Sequence, residues 1–223
     1  MLNNMSGEYV MKLKGLYAIT DEKWTPARVM PDAVESALAG GASVVQLRDK
    51  TSPLEELLPL ADRVAELCHA RGAIFIVNDR VDLAERCHCD GVHLGRDDCD
   101  FREARKRLGN RIIGVSCYND LERALEFQDA GADYVAFGSF FPSPTKPDAA
   151  KADIELLARA KDVLHVPVCA IGGISLDNVG MLIAGGADMV AVISALWGCG
   201  SIMERAAAFS EKFRTPQLVI QGI

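Results

Sequence analysis

The chain has 223 residues, 49% of them hydrophobic and 25% charged, with a net charge of −7 and a pI of about 5.1. That balance suits one domain with a large core and excludes a broad basic face for nucleic acid. No stretch approaches the ~18 apolar residues of a membrane span, so no membrane partner is expected.

Asn3, Asn4, Ser6 and Glu8 stand where a secretory signal needs an apolar run, which points to the cytoplasm. Seven scattered cysteines in a chain of this size read as reduced thiols.

Eight short apolar runs follow one another, at 15–20, 43–48, 74–78, 92–94, 112–116, 134–139, 168–173 and 189–194. Most end abruptly in charged, hydroxylated or glycine-rich residues. The first closes on Thr20-Asp21, after an N-terminal extension expected over 1–14. The second runs into Gln46, Leu47, Arg48, Asp49 and Lys50, where two cations and an amide make a phosphate grip. Ser52-Pro53-Leu54-Glu55 then offers an N-cap, a proline at N1 and a capping-box glutamate for a helix that Gly72 ends.

The third run ends in Asn78-Asp79-Arg80 and the fourth in His93-Leu94-Gly95-Arg96-Asp97-Asp98. Carboxylates on neighbouring loops beside a phosphate grip are a common way to hold Mg2+, with water and phosphate completing the shell. Cys87-His88-Cys89 with Cys99 matches no common zinc spacing and reads as buried thiols. Residues 101–107 read as a solvated helix face. The fifth run ends at Ser116, and Asn119-Asp120-Leu121-Glu122 begins a helix, capped by the asparagine, that runs to Gly131.

The sixth run enters a stiff loop, Gly138-Ser139-Phe140-Phe141-Pro142-Ser143-Pro144-Thr145-Lys146-Pro147. The seventh ends in Gly172-Gly173, followed by Ser175 as cap of a helix to Gly185, and the eighth ends in Ile193-Ser194. Trp24 and Trp197 read as packing residues, and Phe140 and Phe141 as shaping the rim.

One junction recurs between these units: Gly41-Ala42-Ser43, Gly131-Ala132-Asp133 and Gly186-Ala187-Asp188, with Cys89-Asp90-Gly91 a weaker copy. Each reads as a glycine helix stop followed at once by a buried strand. Eight such βα units of about 28 residues give a parallel sheet closed into a single (β/α)8 TIM barrel, an α/β fold. In that fold the C-terminal strand ends form the active-site rim. Two anion sites emerge there. One uses backbone N–H groups with Ser143, Thr145 and Ser194 and suits a monophosphate. The other uses Arg48, Lys50 and Lys146 with a carboxylate-held metal and suits a diphosphate. Together they point to a transferase with diphosphate as leaving group.

These motifs, in this order over about four-fifths of the chain, resemble the thiamine-phosphate synthase family. The resemblance implies two small phosphorylated heterocyclic substrates, a pyrimidine methyl diphosphate and a thiazole ethyl phosphate, joined to give thiamine monophosphate and diphosphate. It implies that Gln46, Leu47, Arg48, Asp49, Lys50, Asn78, Ser116 and Lys146 contact the pyrimidine diphosphate. Ser143, Pro144, Thr145, Gly173, Ile193 and Ser194 are implied for the thiazole phosphate, and Asp79 and Asp98 for one Mg2+. The choice of Asp98 over Asp97 rests on the family pattern alone. Arg96 and Ser143 depart from it, standing where glutamine and threonine are frequent. The implied mechanism ionises the pyrimidine C–O bond and captures the cation with the thiazole nitrogen, and no general base is nominated. Family habit implies a homodimer. A thiazole tautomerase paralogue and a non-catalytic barrel that binds thiamine precursors are the rival readings.

Overall fold

The computed structural model describes residues 13–142 and 152–214. Residues 1–12 of the extension expected over 1–14, residues 215–223, and Ser143, Pro144, Thr145 and Lys146 lie outside the described residues.

Eight parallel strands close into a barrel: β1 (Gly15–Ile19), β2 (Val44–Leu47), β3 (Ile74–Asn78), β4 (Gly91–Leu94), β5 (Ile112–Tyr118), β6 (Tyr134–Phe137), β7 (Val168–Ile171) and β8 (Met189–Val192). Each pairs with the next, and β8 returns to β1. The intervening helices are α1 (Met30–Ala39), α2 (Leu54–Ala70), α3 (Val81–Arg86), α4 (Phe101–Leu108), α5 (Leu121–Asp129), α6 (Glu155–Val163) and α7 (Val179–Ala184), followed by α8 (Ser194–Trp197) and α9 (Ile202–Arg214). All eight apolar runs are strands. Most stop one or two residues short of the run, where polar groups leave the ladder. By contrast β5 continues to Tyr118, with a register shift between Ser116 and Tyr118.

The two-residue alternation of the strands splits the core into two layers. Leu16, Ala18, Val45, Phe75 and Val77 face outward onto the helices. Tyr17, Ile19, Val44, Ile74, Ile76 and Tyr134 fill the barrel interior. Leu13 belongs to that inner layer and is 1% exposed, so the barrel begins before position 15 and the expected extension is shorter than 1–14.

The recurring junction has a structural reason. Its glycines at 41, 131 and 186 all have φ near +100°, a conformation that costs other residues. The acids two residues on, at 133 and 188, and Asp90 in the weaker copy then reach across to the preceding strand. Asp90 accepts from Phe75 N, Asp133 from Ile113 N and Asp188 from Val168 N, at 2.7–2.8 Å. Each carboxylate is also met from the helix that leads into that preceding strand, by His69 of α2, Arg105 of α4 and Lys161 of α6 respectively. At the fourth junction the Ser43 hydroxyl donates to the carbonyls of Lys14 and Leu16. The motif thus ties every even strand to its odd predecessor at the bottom of the barrel.

Three expected helix starts are corrected. Helix α2 begins at Leu54 after Pro53, with no side-chain cap, because Ser52 donates its hydroxyl to Asp49 instead, and Glu55 pairs with Arg86. Asp120, not Asn119, caps α5 by accepting from Arg123 N; a carboxylate outcompetes a neighbouring amide. Ser175 forms a turn with Asp177 and Asn178, and α7 starts only at Val179.

Candidate active site

At the C-terminal mouth of the barrel lies a cavity of about 190 Å³, room for a small organic ligand where one water occupies about 30 Å³. Gln46, Arg48, Asn78, Ser116, Gly173, Ile193 and Ser194, seven of the residues named from sequence, line it together. They come from five different strands or the loops after them.

The end of β1 organises the phosphate grip. Thr20, fully buried, accepts from Arg48 N through its hydroxyl at 2.9 Å. Asp21 pairs with the Arg48 guanidinium at 3.6 Å, and Glu22 accepts from Lys50 N at 2.8 Å. Neither Asp21 nor Glu22 was singled out from sequence, where they are ordinary turn acids. Two members of the same segment point away from the cavity. Leu47 packs in the outer core, since period two turns it opposite to Gln46, and Asp49 is engaged by Thr51 N and by the Ser52 N and hydroxyl. Their side chains shape the loop and are not arranged to touch a ligand in the cavity.

Asp79 and Asp98 meet beside this loop. Lys50 Nζ sits 2.9 Å from Asp79 Oδ2, and Asp98 Oδ2 accepts from Gly95 N at 2.6 Å. Burial opposes ionisation of Asp79, yet its hydrogen bond with Asp98 and the Lys50 ammonium outweigh that and hold its pKa below the ordinary value. Burial, with the neighbouring Asp79, pushes Asp98 up. The pair thus pushes the two carboxyl groups in opposite directions, with the Lys50 ammonium beside Asp79 offsetting its charge. Asp79 also adopts φ +60°, an uncommon conformation for a non-glycine residue that the short aspartate tolerates.

Two adjacent carboxylates, one already paired with an ammonium, are hard oxygen donors of the kind that suit a divalent metal such as Mg2+. Among the described residues no third His, Cys, Asp or Glu joins them as a ligand. Asn78 Nδ2 is buried on the cavity wall without a hydrogen-bond partner in the described residues, a donor awaiting an acceptor.

On the opposite side, Gly172 and Gly173 have φ of +104° and +62°. A Cβ on Gly173 would lie 2.4 Å from the Pro142 carbonyl, so this backbone turn, which lines the cavity with Ser194, requires glycine. Trp197 is a packing residue, 5% exposed, with its indole N–H on the Ile19 carbonyl. Phe140 is buried in the outer core. Cys87 and Cys89 are buried free thiols, while the His88 ring between them turns outward to Asp62.

Sequence reasoning missed the cavity floor. Gln46 Nε2 donates to the Tyr17 hydroxyl at 2.7 Å, Tyr17 and Tyr134 share a 2.8 Å hydrogen bond, and Tyr134 meets His93 Nδ1 at 2.9 Å. His93 Nε2 lies 2.9 Å from the Ser116 hydroxyl. Inside apolar strands, two tyrosines give no local signal beyond their own polarity. Burial pushes both phenols well above the usual tyrosine range. In an alkaline absorbance titration of the four tyrosines, Tyr17 and Tyr134 are expected to stay protonated until the chain unfolds. The unfolded chain loses these protons first, so stability is full below about pH 10 and falls as pH rises beyond it. Full ionisation of a still-folded chain near that pH would contradict the buried assignment.

Fold and site together define a (β/α)8-barrel enzyme with a cationic, carboxylate-bearing mouth. The family model described as thiamine monophosphate synthase matches residues 16–196. A thiamine-phosphate synthase of Wolinella succinogenes is 48% identical over 200 residues, covering 89% of this chain and 92% of its own. One from Thiobacillus denitrificans is 49% identical over 200 residues, covering 89% and 94%. The solved thiamine phosphate pyrophosphorylase of Pyrococcus furiosus superposes with a TM-score of 0.85 at 37% identity, covering 92% of this chain and 98% of that one. The chain belongs to the thiamine monophosphate synthase family, and so to the transferases.

Proposed function

We propose that this chain joins 4-amino-2-methyl-5-(diphosphooxymethyl)pyrimidine to 4-methyl-5-(2-phosphoethyl)thiazole, giving thiamine monophosphate and diphosphate in a Mg2+-dependent reaction. The observation that carries this reading is the convergence of Arg48, Lys50, Asp79 and Asp98 at one mouth of the barrel. Together they form a cationic grip beside a pair of hard-oxygen ligands.

The reaction breaks the pyrimidine methylene C–O bond, and the bonding pair leaves on diphosphate. The resulting cation is delocalised over the aminopyrimidine, and the thiazole nitrogen lone pair closes the new C–N bond. No proton need move, so no general base is required. Arg48 and Lys50 offset the charge growing on the leaving group from positions already fixed by Thr20, Asp21 and Glu22. The unpartnered amide N–H of Asn78 gives the pyrimidine diphosphate a donor, while Gln46, whose nitrogen is spent on Tyr17, has its carbonyl oxygen left for an amino group. The cavity walls of Ile19, Ala136 and Ile171 keep water from the cation. Asp79 and Asp98 would hold the Mg2+, which neutralises diphosphate charge when bound. The glycine turn at 172–173 with Ile193 and Ser194 suits the thiazole phosphate.

The test is to mix purified protein, Mg2+ and the two substrates and follow diphosphate release and the mass of the product. Thiamine monophosphate and diphosphate should form in equal amounts, and chelation of the metal should stop both. Product formation unaffected by chelation would remove the metal assignment, and no product at all would remove the synthase reading.

A further inference from the structure

We propose that His93 is the positioning residue of a one-directional hydrogen-bond relay that crosses the barrel interior and fixes Ser116 as a donor into the cavity. The relay links five strands, from Gln46 on β2 through Tyr17 on β1, Tyr134 on β6 and His93 on β4 to Ser116 on β5.

Its direction follows from counting protons. The Gln46 amide nitrogen can only donate, so the Tyr17 oxygen accepts there, and its single proton goes to Tyr134. The Tyr134 proton then goes to His93 Nδ1, which must accept and so carries none. In a neutral imidazole the proton is then on Nε2, and it is donated to the Ser116 oxygen. The opposite direction fails: with Nδ1 donating, Tyr134 would donate to Tyr17. Tyr17 would then face two donors and bury its own proton without an acceptor, at 1% exposure.

The assembly is rigid. The His93 ring stacks on Tyr134 with centroids 5.5 Å apart and planes 28° from parallel, and both phenols stay neutral through burial. With its oxygen occupied by His93, the Ser116 hydroxyl has its own proton to offer the cavity it lines. Resting on the synthase reading, that donor faces the pyrimidine diphosphate and is oriented before the substrate arrives, which avoids reorganisation during bond breaking. Interior tyrosines thus act at the mouth through a serine they never touch.

Two variants of similar size separate positioning from packing. His93→Gln retains an amide donor where Nε2 stands, and His93→Asn retains an acceptor near Nδ1 but loses the reach to Ser116. His93→Asn should lower kcat about tenfold with KM changed less than about twofold, and His93→Gln should recover most of it. In the Ser116→Ala background, His93→Asn should cost less than about threefold further, because the two residues act as one unit. Equal losses in Asn and Gln variants, or the same factor with and without Ser116, would overturn the relay. Independently of turnover, 15N spectra of the histidine-labelled full chain at neutral pH should give His93 a bare Nδ1 and a protonated Nε2, and any other pattern overturns the direction. Failure of the wild-type chain to make product would count against the synthase reading alone, since the tautomer is read without substrate.

Discussion

Asp79→Asn and Asp98→Asn should each lower the rate of diphosphate release about a hundred- to a thousandfold at saturating Mg2+, with the fold intact. The magnitude is that of removing one preorganised electrostatic contact from a growing negative charge. Either change replaces one of two carboxylate ligands by an amide whose oxygen carries no charge to hold a divalent ion. Stability should move the other way. The native pair holds two acids and one ammonium in a partly buried cluster, where burial and the neighbouring Asp79 both oppose ionisation of Asp98. Asp98→Asn keeps an oxygen for Gly95 N while relieving that like-charge contact, so unfolding free energy should be unchanged or rise by up to about 1 kcal/mol. Turnover and thermal melting of the same preparations check both halves. Near-normal turnover in both variants would refute the metal assignment.

Gly114→Ala should damage fold and catalysis together. Gly114 on β5 stands in register with His93 on one side and Tyr134 on the other. A methyl group there would lie 1.9 Å from Tyr134 Cζ and 2.4 Å from its hydroxyl. The ring must move, which unstacks His93 and breaks its hydrogen bonds to Tyr17 and His93. Overpacking of this kind costs about 1–3 kcal/mol, and a buried hydroxyl left unpaired about as much again. A fall in Tm of roughly 5–15 °C with a loss of turnover is expected. Gly200→Ala, where nothing lies within 4 Å of the added carbon, serves as the control and should be near neutral. A Gly114→Ala chain that melts and turns over like the wild type would mean that the inner layer can repack freely.

The sequence by itself determined the architecture and most of the rim. Apolar runs of three to six residues, stopped by polar groups and spaced by glycine-ended helices, admit little besides a parallel barrel, because each strand must be buried on both faces. Arg48, Asn78, Ser116 and Ser194 were legible for the same reason: a polar residue at the end of a buried strand is placed on the rim by the fold.

What only the tertiary structure decided was which side chains meet. Leu47 and Asp49 lie within the same loop as Arg48, yet one is turned into the outer core and the other is taken by the turn itself. Asn119 lost its cap to Asp120, a choice between neighbours made by acceptor strength and local backbone direction. Tyr17 and Tyr134, 117 residues apart, become hydrogen-bond partners through barrel closure and the bare backbone of Gly114. Local propensity and polarity depend on adjacent residues and can be read along the chain. A buried hydrogen bond between distant side chains depends on register, strand order and the space left by a third residue, and these exist only once the barrel has closed.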